Sequence, residues 1–380
     1  ALAGGTYFIP STGCSGFDKI SSAVNYINAN GIAGPVIFSI TPGYNETAPV
    51  GGYAITRTGT LANTITFQRN GAGANPVITA GLQVAGSTTD AVFKIIGGDY
   101  ISIRNLTIQE NAGNTVTTVG ATNTMTEWGV ALLYASTTNG PNNNTIEGNT
   151  ISLNKGYANS FGIYSNMRHS DTTPYIGADI TNTTGGSNKV YSNVISNVNN
   201  PIMFLGAATN MSPGNDIGGA AASTGNTISN WGSNTVHSGN AVFFGTTATM
   251  AGIYSGNQTG LNVSWNSISN AVGINVGASG FRGILNDYVG TGPAGTFTNT
   301  ISNNTVTLIN AGTAGVFEAI TQANTVASAA VAGITTTISD NTISSSHTGA
   351  SNVFVVAIQN AFPAGVLNIS GNIIRGNTSN

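Results

Sequence analysis

Charged residues are scarce in this sequence. Lys, Arg, Asp and Glu together make up 6% of its 380 residues, whereas an average soluble domain has about 25%. Ten basic and thirteen acidic residues give a formal net charge of −3. Binding to nucleic acid or to anionic lipid requires a dense cationic surface, which this composition does not supply. We therefore expect no nucleic-acid partner.

Cysteine and long apolar segments are also lacking. Cys14 is the only cysteine, which excludes an intrachain disulfide and a metal site made of several thiolates. No segment reaches the roughly 18 consecutive apolar residues of a membrane-spanning helix, and we expect no membrane insertion. The first residues, Ala1-Leu2-Ala3, resemble the end of a signal-peptidase site. They predict an extracellular or bacterial cell-surface location.

Glycine (51 residues) and asparagine (49 residues) are abundant in place of charged residues. A short unit that contains asparagine recurs seven times. It consists of an apolar residue, two small or polar residues, Asn, any residue and a second apolar residue, and only the third copy lacks the leading apolar residue. The irregular period is typical of a solenoid whose coils carry loops of different length. The repeated asparagines, separated by 44, 33, 40, 38, 37 and 31 residues, are Asn149, Asn193, Asn226, Asn266, Asn304, Asn341 and Asn372.

The intervals between the repeats contain short strand-like segments and no long amphipathic helix. They predict an all-β fold, a right-handed parallel β-helix (solenoid) of about ten coils, whose strands stack about 4.8 Å apart. Equal charges stacked at that spacing would repel each other, which explains the neutral composition. We expect the repeated asparagines to form the turns in the left-handed conformation that asparagine tolerates, and to bond to each other as a ladder. The alternative, a disordered Asn-rich chain, does not explain the regular apolar positions.

The N-terminal third predicts a cap followed by the first coils. Apolar residues at helical spacing from Phe17 to Ile27, followed by Asn30-Gly31, predict a short capping helix over the open end of the solenoid. Strands are expected at 35–40, 64–67, 76–79, 91–96 and 100–108. We interpret residues 1–380 as one domain, with a cap (1–34), the first coils (35–110) and the asparagine-turn coils (111–380).

The order of several N-terminal segments also resembles a known family. Gly34 to Ile40, Pro42 to Glu46 and Asn75 to Ile78 are similar to the start of secreted right-handed parallel β-helix modules in surface proteins of Bacteroidetes-type bacteria, within the pectate-lyase-like fold group. The resemblance extends over residues 1–110 and 146–374. It implies the fold, but such modules occur both in polysaccharide-cleaving enzymes and in adhesive or structural proteins, so it leaves the activity open.

The densest polar segment lies between residues 167 and 179. A lyase acting on acidic sugars needs a cation for the substrate carboxylate, an acid or base and often Ca²⁺. Arg168 is the candidate cation, Asp171 and Asp179 are candidate Ca²⁺ ligands, and Tyr175 or His169 is the candidate acid or base. The alternative, which the sequence favours, is a solvated loop in a chain without catalytic residues, cofactor or metal.

Two further groups of residues are candidates for a site. Asp171, Asp179, Asp216 and Asp287 all precede an asparagine turn and are candidates to line one face, although no closely spaced carboxylate pair of a glycoside hydrolase is present. Trp231 and Trp265 flank the same turn in successive coils and are candidates for stacking on a glycan. Packing in the core or at an edge is the alternative for both tryptophans.

These observations favour a noncatalytic extracellular protein: a rod-like cell-surface, adhesive or filament-forming structural module that binds glycans or associates with itself. The alternative is a secreted carbohydrate-active enzyme, with a polysaccharide lyase favoured over a glycoside hydrolase. A third interpretation, ice or mineral binding by flat Thr ladders, is disfavoured because regular Thr-x-Thr repeats on successive coils are not evident in the sequence.

Overall fold

The computed structural model describes residues 1–11, 13, 15–167, 169, 184–233, 249–274, 280–288, 295–311, 316–324, 331–349, 354–360 and 364–376. Within these residues the strands form three long sheets in which every neighbouring pair is parallel. One α-helix, Ile20–Asn30, and one 3₁₀ turn, Ala222–Thr224, are the helical elements of this described part. The predicted all-β class is confirmed.

We call the sheets 1, 2 and 3 in the order in which the chain visits them. Sheet 1 contains Gly5–Ile9, Val36–Ile40, Ile65–Arg69, Ile101–Arg104, Thr145–Glu147, Lys189–Tyr191, Asp216–Ile217, Asn262–Ser264, Phe297–Ser302, Val331–Ser339 and Ala364–Ser370. Sheet 2 contains Asn45–Thr47, Val77–Thr79, Thr107–Gln109, Thr150–Ser152, Val194–Ser196, Thr227–Trp231, Ser267–Asn270, Thr305–Asn310, Thr342–His347 and Ile373–Ile374. Sheet 3 contains Tyr53–Ile55, Ala91–Ile96, Trp128–Leu133, Phe161–Asn166, Asn200–Leu205, Thr249–Gly256, Gly280–Tyr288, Val316–Asn324 and Phe354–Asn360. Ser212–Pro213 and Gln258–Thr259 form a separate parallel pair.

From Val36 onward the chain passes from sheet 1 to sheet 2 to sheet 3 and back to sheet 1, so each lap adds one strand to each sheet. Ten laps begin within the described residues, in agreement with the predicted number of coils. Connections between parallel strands of one sheet are right-handed in nearly all proteins, which gives the coil its predicted hand. The structure is the expected parallel β-helix.

The interior is filled by alternate residues of each strand. On sheet 2 one inward Ile or Val of each strand from Val77–Thr79 to Thr342–His347 lies in register with its equivalents on the neighbouring coils. Their side chains form a continuous apolar column, which explains why the residue after each repeated asparagine is followed by Ile or Val. The column consists of Ile78, Ile108, Ile151, Ile195, Ile228, Ile268, Val306 and Ile343.

The helix closes the N-terminal end of the coil, as predicted. Its buried face, which includes Ile20, Val24 and Ile27, packs into the same core as the strands. The side chain of Lys19 does not cap the helix. Instead the carboxylate of Glu46 accepts hydrogen bonds from the backbone N–H groups of Ile20 (2.8 Å) and Ser21 (3.2 Å), so the first sheet-2 strand supplies the negative charge that a helix N-terminus favours.

One strand prediction needs correction. The segment 100–108 is not one strand, because Ile101–Arg104 belongs to sheet 1 and Thr107–Gln109 belongs to sheet 2. The corner between them is made by Asn105, whose backbone φ of 55° is left-handed, and by buried Leu106. The apolar alternation shifts by one residue at this corner, from Ile101 and Ile103 to Leu106 and Ile108, and this shift is the sequence signal that the prediction overlooked.

Candidate functional site

The seven repeated asparagines lie at one corner, between sheet 1 and sheet 2. All but the last are fully buried, with exposures of 0–1%. Each of the first six donates from Nδ2 to Oδ1 of the asparagine on the next coil, at 2.8–3.1 Å, and also to a backbone carbonyl of the preceding coil. The same Oδ1 accepts the backbone N–H of the neighbouring asparagine, as between Asn193 and Asn226 (3.0 Å). The result is a continuous ladder of satisfied buried amides.

The backbone conformation of these corners differs from the expectation. None of the seven asparagines has a left-handed φ; the residue before it does in six of the seven copies, with φ values of 54–66°. The expectation that asparagine is needed for its own left-handed conformation is therefore wrong. The physical reason is that the asparagine side chain points inward to the ladder, while the preceding residue makes the bend. The six bend residues are Gly148, Ser192, Trp265, Asn303, Asp340 and Gly371.

A second, shorter ladder lies at the corner before sheet 1. Asn144 Nδ2 donates to Asn188 Oδ1 (3.1 Å), Asn188 donates to Asn215 (3.1 Å), and Asn215 donates to Gln258 Oε1 (2.8 Å). Its asparagines precede an inward apolar residue by two positions, as in Asn144-Thr145-Ile146, Asn188-Lys189-Val190 and Asn215-Asp216-Ile217, a signal that sequence reasoning missed. On these coils the two ladders fix both ends of the sheet-1 strands Thr145–Glu147, Lys189–Tyr191 and Asp216–Ile217.

The polar segment singled out in the sequence begins at the end of a sheet-3 strand. Arg168, Asp171, Tyr175 and Asp179 lie outside the described residues, so their mutual arrangement stays a prediction. His169 is described: it is 1% exposed, its ring packs edge-on against Trp128 (centroids 4.9 Å apart), and its Nδ1 lies 3.2 Å from the Tyr164 hydroxyl. His169 therefore packs on the outer face of sheet 3.

Asp287 and Tyr254 form a polar pair on the same outer face. The strand Thr249–Gly256 pairs with Gly280–Tyr288 so that Gly256 lies opposite Asp287. Because Gly256 has no side chain, the Tyr254 ring reaches across, and its hydroxyl lies 3.5 Å from Asp287 Oδ2. The second carboxylate oxygen, Oδ1, is buried and has no hydrogen-bond partner of standard geometry among the described residues.

The surroundings of Asp287 favour its neutral form. The side chain is only 7% exposed. Burial raises the pKa of Asp287 to about 6, although the Tyr288 backbone N–H, the Arg282 charge and the Tyr254 hydroxyl all act to lower it. A carboxyl group with a pKa near 6 exchanges protons readily close to neutral pH, which is what general acid–base chemistry requires.

An ion pair lies further along the same strands. Arg282 Nε donates to Glu318 Oε2 at 2.6 Å, and the side chains are 19% and 2% exposed. The Thr321 hydroxyl also donates to Glu318 Oε2. Glu318 lies opposite Arg282 in the sheet, and Arg282 precedes Asp287 by five residues, so the backbone positions of the two acids are about 16 Å apart along the strand at about 3.3 Å per residue.

Of the four aspartates expected to line one face, two can be located. Asp216 belongs to sheet 1, where its carboxylate accepts hydrogen bonds from the Tyr191 hydroxyl (2.5 Å) and Asn262 Nδ2 (2.7 Å). Asp287 belongs to sheet 3. These two aspartates are not on one face, and the bonds of Asp216 hold neighbouring strands together. Tyr254 was not predicted, because only the strand register brings it to Asp287.

Another buried acid, Glu127, is held by hydrogen bonds that serve a structural role. Glu127 is fully buried, and its carboxylate accepts hydrogen bonds from the Tyr157 hydroxyl (2.5 Å), Asn123 Nδ2 (3.0 Å) and the Asp90 backbone N–H (3.0 Å). Burial raises the pKa of Glu127 well above its ordinary value. No ligand reaches a side chain with 0% exposure, so this network holds loops onto the coil.

The two candidate tryptophans do not lie together. Trp231 ends the strand Thr227–Trp231, and Trp265 precedes the parallel strand Ser267–Asn270, so they lie at opposite ends of sheet 2. Trp231 is fully buried and stacks on Phe281, with ring centroids 4.6 Å apart and an angle of 2°. Its position is that of the core-packing alternative, while half-buried Trp265 stays a candidate for glycan contact.

No group of three or more His, Cys, Asp or Glu side chains suited to a metal ion occurs among the described residues. Binding of Ca²⁺ by Asp171 and Asp179, which lie outside the described residues, stays a prediction. No helix in the described part has both the length and the apolar character needed to cross a membrane.

No protein-family model matches the sequence, and no curated protein matches it significantly. Three solved structures are similar in fold. The lacto-N-biosidase of family GH136 from Eubacterium ramulus has 11% identity and a TM-score of 0.49 over 98% of this chain and 68% of its own. The alginate lyase from Paenibacillus sp. str. FPU-7 has 14% identity and a TM-score of 0.31 over 98% and 99%. The A-module of a mannuronan C-5 epimerase from Azotobacter vinelandii has 13% identity and a TM-score of 0.32 over 94% of each chain.

Proposed function

We propose that this protein is a carbohydrate-active β-helix that performs proton-transfer chemistry on a polysaccharide held over the outer face of sheet 3. The observation that carries the proposal is Asp287, a buried carboxyl group with a pKa of about 6 beside the hydroxyl of Tyr254. The three similar structures are named for carbohydrate chemistry, but with TM-scores below 0.5 they carry no weight here.

The separation of the acids favours elimination over hydrolysis. A glycoside hydrolase places two carboxyl groups about 5–10 Å apart on either side of the bond that it cleaves. Asp287 and Glu318 are about 16 Å apart along their strands, and Glu318 is occupied by Arg282. A β-elimination needs only a base for the proton beside the uronate carboxylate and a proton donor for the leaving oxygen.

The two side chains match those roles. Above pH 6 the ionised Asp287 accepts the proton from the sugar carbon, and the Tyr254 hydroxyl donates a proton to the glycosidic oxygen as its bond to carbon breaks. The products are a new reducing-end hydroxyl and a sugar with a carbon–carbon double bond, so protons and electrons balance. Arg168 is proposed to neutralise the substrate carboxylate. Asp171, Asp179 and Tyr175 belong to the same segment of the sequence, which follows the sheet-3 strand Phe161–Asn166.

The test is incubation with alginate, pectate, other uronic-acid polysaccharides and neutral polysaccharides. We expect ultraviolet-absorbing unsaturated products from a uronic-acid substrate only. Asp287→Asn, Tyr254→Phe and Arg168→Ala should abolish them, whereas Thr300→Lys, on the outer face of sheet 1, should not. Absence of product from every substrate, or unchanged turnover in Asp287→Asn, would refute the proposal.

A second candidate is a noncatalytic adhesive rod, as in the surface-protein family that the sequence resembles, secreted or displayed on a cell surface. One observation favours it: the asparagine ladder, which connects seven coils rigidly. Electron microscopy would show rods or filaments if the protein has this role.

A further inference from the structure

The same short unit of sequence occurs on two coils of sheet 3. Both copies begin Gly-Ile-Tyr-Ser, and they differ only in the fifth residue, which is Asn166 in the first copy and Gly256 in the second. The strand Asn200–Leu205 lies between them and pairs in register with both. The two tyrosines, Tyr164 and Tyr254, therefore occupy equivalent positions on the outer face of the sheet, as do the two fifth residues.

In the first copy the fifth residue bonds to the tyrosine of its own strand. Asn166 Nδ2 donates to the Tyr164 hydroxyl at 3.1 Å, and the same hydroxyl lies 3.2 Å from Nδ1 of His169, five residues further along the chain. Both Tyr164 and Asn166 are buried, so these contacts are made out of water. The asparagine thus helps to hold the tyrosine hydroxyl over its own coil.

In the second copy the fifth residue leaves room for the tyrosine instead. A Cβ atom on Gly256 would lie only 3.2 Å from the Tyr254 hydroxyl oxygen and 3.4 Å from its ring carbon Cε1. The hydroxyl therefore occupies the space that a side chain would fill. From this position it lies 3.5 Å from Oδ2 of Asp287, the residue opposite Gly256 on the next coil.

We infer that Gly256 is a positioning residue, whose missing side chain directs the Tyr254 hydroxyl across the sheet to Asp287. Gly256 acts through Tyr254 and does not itself take part in proton transfer. Its importance for the reaction rests on the proposed function, in which Tyr254 is the proton donor and Asp287 is the base. The contact between the two side chains is a property of the folded protein, so it can be tested without a substrate.

The contact has an electrostatic signature. The Tyr254 hydroxyl acts to lower the pKa of Asp287, as do the Tyr288 backbone N–H and the Arg282 charge, whereas burial raises it. On the following coil the residue opposite Asp287 is Ala323, which carries no charge. Removing the hydroxyl from its place leaves the effect of burial less opposed, so the pKa of Asp287 should rise further.

The first copy also shows that an asparagine fits at this position. A Cβ atom on Gly256 would lie 2.5 Å from Cδ1 of Leu205, on the preceding coil, so the leucine side chain must give way. The neighbour of Asn166 on its own preceding coil is likewise a leucine, Leu133, and both are buried there. Gly256→Asn therefore recreates an arrangement that this fold already contains.

The experiment is a nuclear magnetic resonance titration of the full chain, labelled with ¹³C at aspartate carboxyl groups. Gly256→Asn and Tyr254→Phe should each raise the Asp287 midpoint by about 0.5–1 pH unit. The double variant should show no further rise, because both changes remove the same contact. Gly273→Asn makes the same substitution at an exposed turn with no atom within 4 Å of the added Cβ, and it should leave the midpoint unchanged. Circular dichroism establishes that the variants keep the β-helix.

Kinetics separate this inference from the proposed function. On a uronic-acid polymer that the wild type cleaves, Gly256→Asn should lower kcat by about tenfold or more and leave KM nearly unchanged, because the proton donor is displaced and not the substrate. If the wild type cleaves no polymer, the proposed function fails, whereas the titration still decides whether Gly256 positions Tyr254.

Three titration results would overturn the inference. They are an unchanged midpoint in Tyr254→Phe, an unchanged midpoint in folded Gly256→Asn, and a further rise in the double variant. Should Gly256→Asn fail to fold, Gly256→Ala adds the Cβ atom alone and should raise the midpoint in the same direction by a smaller amount. An unchanged midpoint in that variant would equally contradict a positioning role.

Discussion

Asn304 donates from Nδ2 to Oδ1 of Asn341, 37 residues later in the sequence, at 2.9 Å. Asn304 Nδ2 also donates to the Val263 carbonyl (2.8 Å), and its Oδ1 accepts from the backbone N–H and Nδ2 of Asn266. One side chain thus satisfies polar groups on three coils. Its removal leaves several buried donors and acceptors without partners, which is the costly case for hydrogen bonding.

Asn304→Ala should therefore lower the free energy of unfolding by about 2–4 kcal/mol. Urea unfolding followed by circular dichroism measures the change. Thr305→Ala, at the neighbouring exposed position, is the control and should change the free energy by less than about 0.5 kcal/mol. Equal effects of the two substitutions would show that the ladder does not stabilise the coil.

The left-handed residue before each ladder asparagine can be tested separately. Asn303 has a φ of 57°, and a β-branched residue in this left-handed conformation is strained. Asn303→Val should destabilise the protein by about 1–2 kcal/mol, whereas Asn303→Gly should be neutral or slightly stabilising. Thermal unfolding of the two variants distinguishes this backbone effect from a loss of side-chain contacts, which would make the Gly variant at least as unstable as the Val variant.

The network around Glu127 predicts the effect of removing one hydroxyl. Tyr157→Phe deletes the 2.5 Å hydrogen bond to a fully buried carboxyl group and should lower the free energy of unfolding by about 1.5–3 kcal/mol. Tyr26→Phe, at an exposed helix position, is the matched control and should have no measurable effect. Similar unfolding midpoints for both variants would contradict a structural role for this network.

Asp287 makes the stability depend on pH. Its pKa is about 6 in the folded chain and about 4 when unfolded, so between these values the folded state binds more protons. Stability is then highest below pH 4 and decreases as the pH rises through 6. Asp287→Asn removes this dependence and should be more stable than the wild type above pH 7, by about 2–3 kcal/mol. Parallel pH–stability curves of the two proteins would exclude the raised pKa.

The sequence predicts the solenoid because its signals are local. An inward Ile or Val two residues after a buried asparagine, as at Asn149 and Ile151, is required on each coil and needs no knowledge of the partner strands. The capping helix is equally local, with its apolar spacing and Gly31. The ladder was expected, but the left-handed role was assigned to the wrong residue, since a sequence pattern does not tell which of two adjacent polar residues points inward.

The candidate site could be predicted only in part because it depends on register. Asp287 was expected among the loop aspartates, but its neighbour Tyr254 is 33 residues earlier and reaches it only because Gly256 lies opposite. Leu106 takes the position of the ladder asparagine on an early coil, where its N–H donates to Asn149 Oδ1 (3.0 Å), so the repeat is invisible there. Contacts of this kind are set by loop lengths that differ from coil to coil.

The central claim is that Asp287 keeps its proton to near-neutral pH on the outer face of sheet 3. The direct measurement is a nuclear magnetic resonance titration of the protein labelled with ¹³C at aspartate carboxyl groups, with Asp287→Asn used to assign the signal. We predict a midpoint near pH 6 for the signal that the substitution removes. A midpoint near 4, that of an ordinary solvated aspartate, would contradict the claim, because burial would then not have raised the pKa of the proposed base.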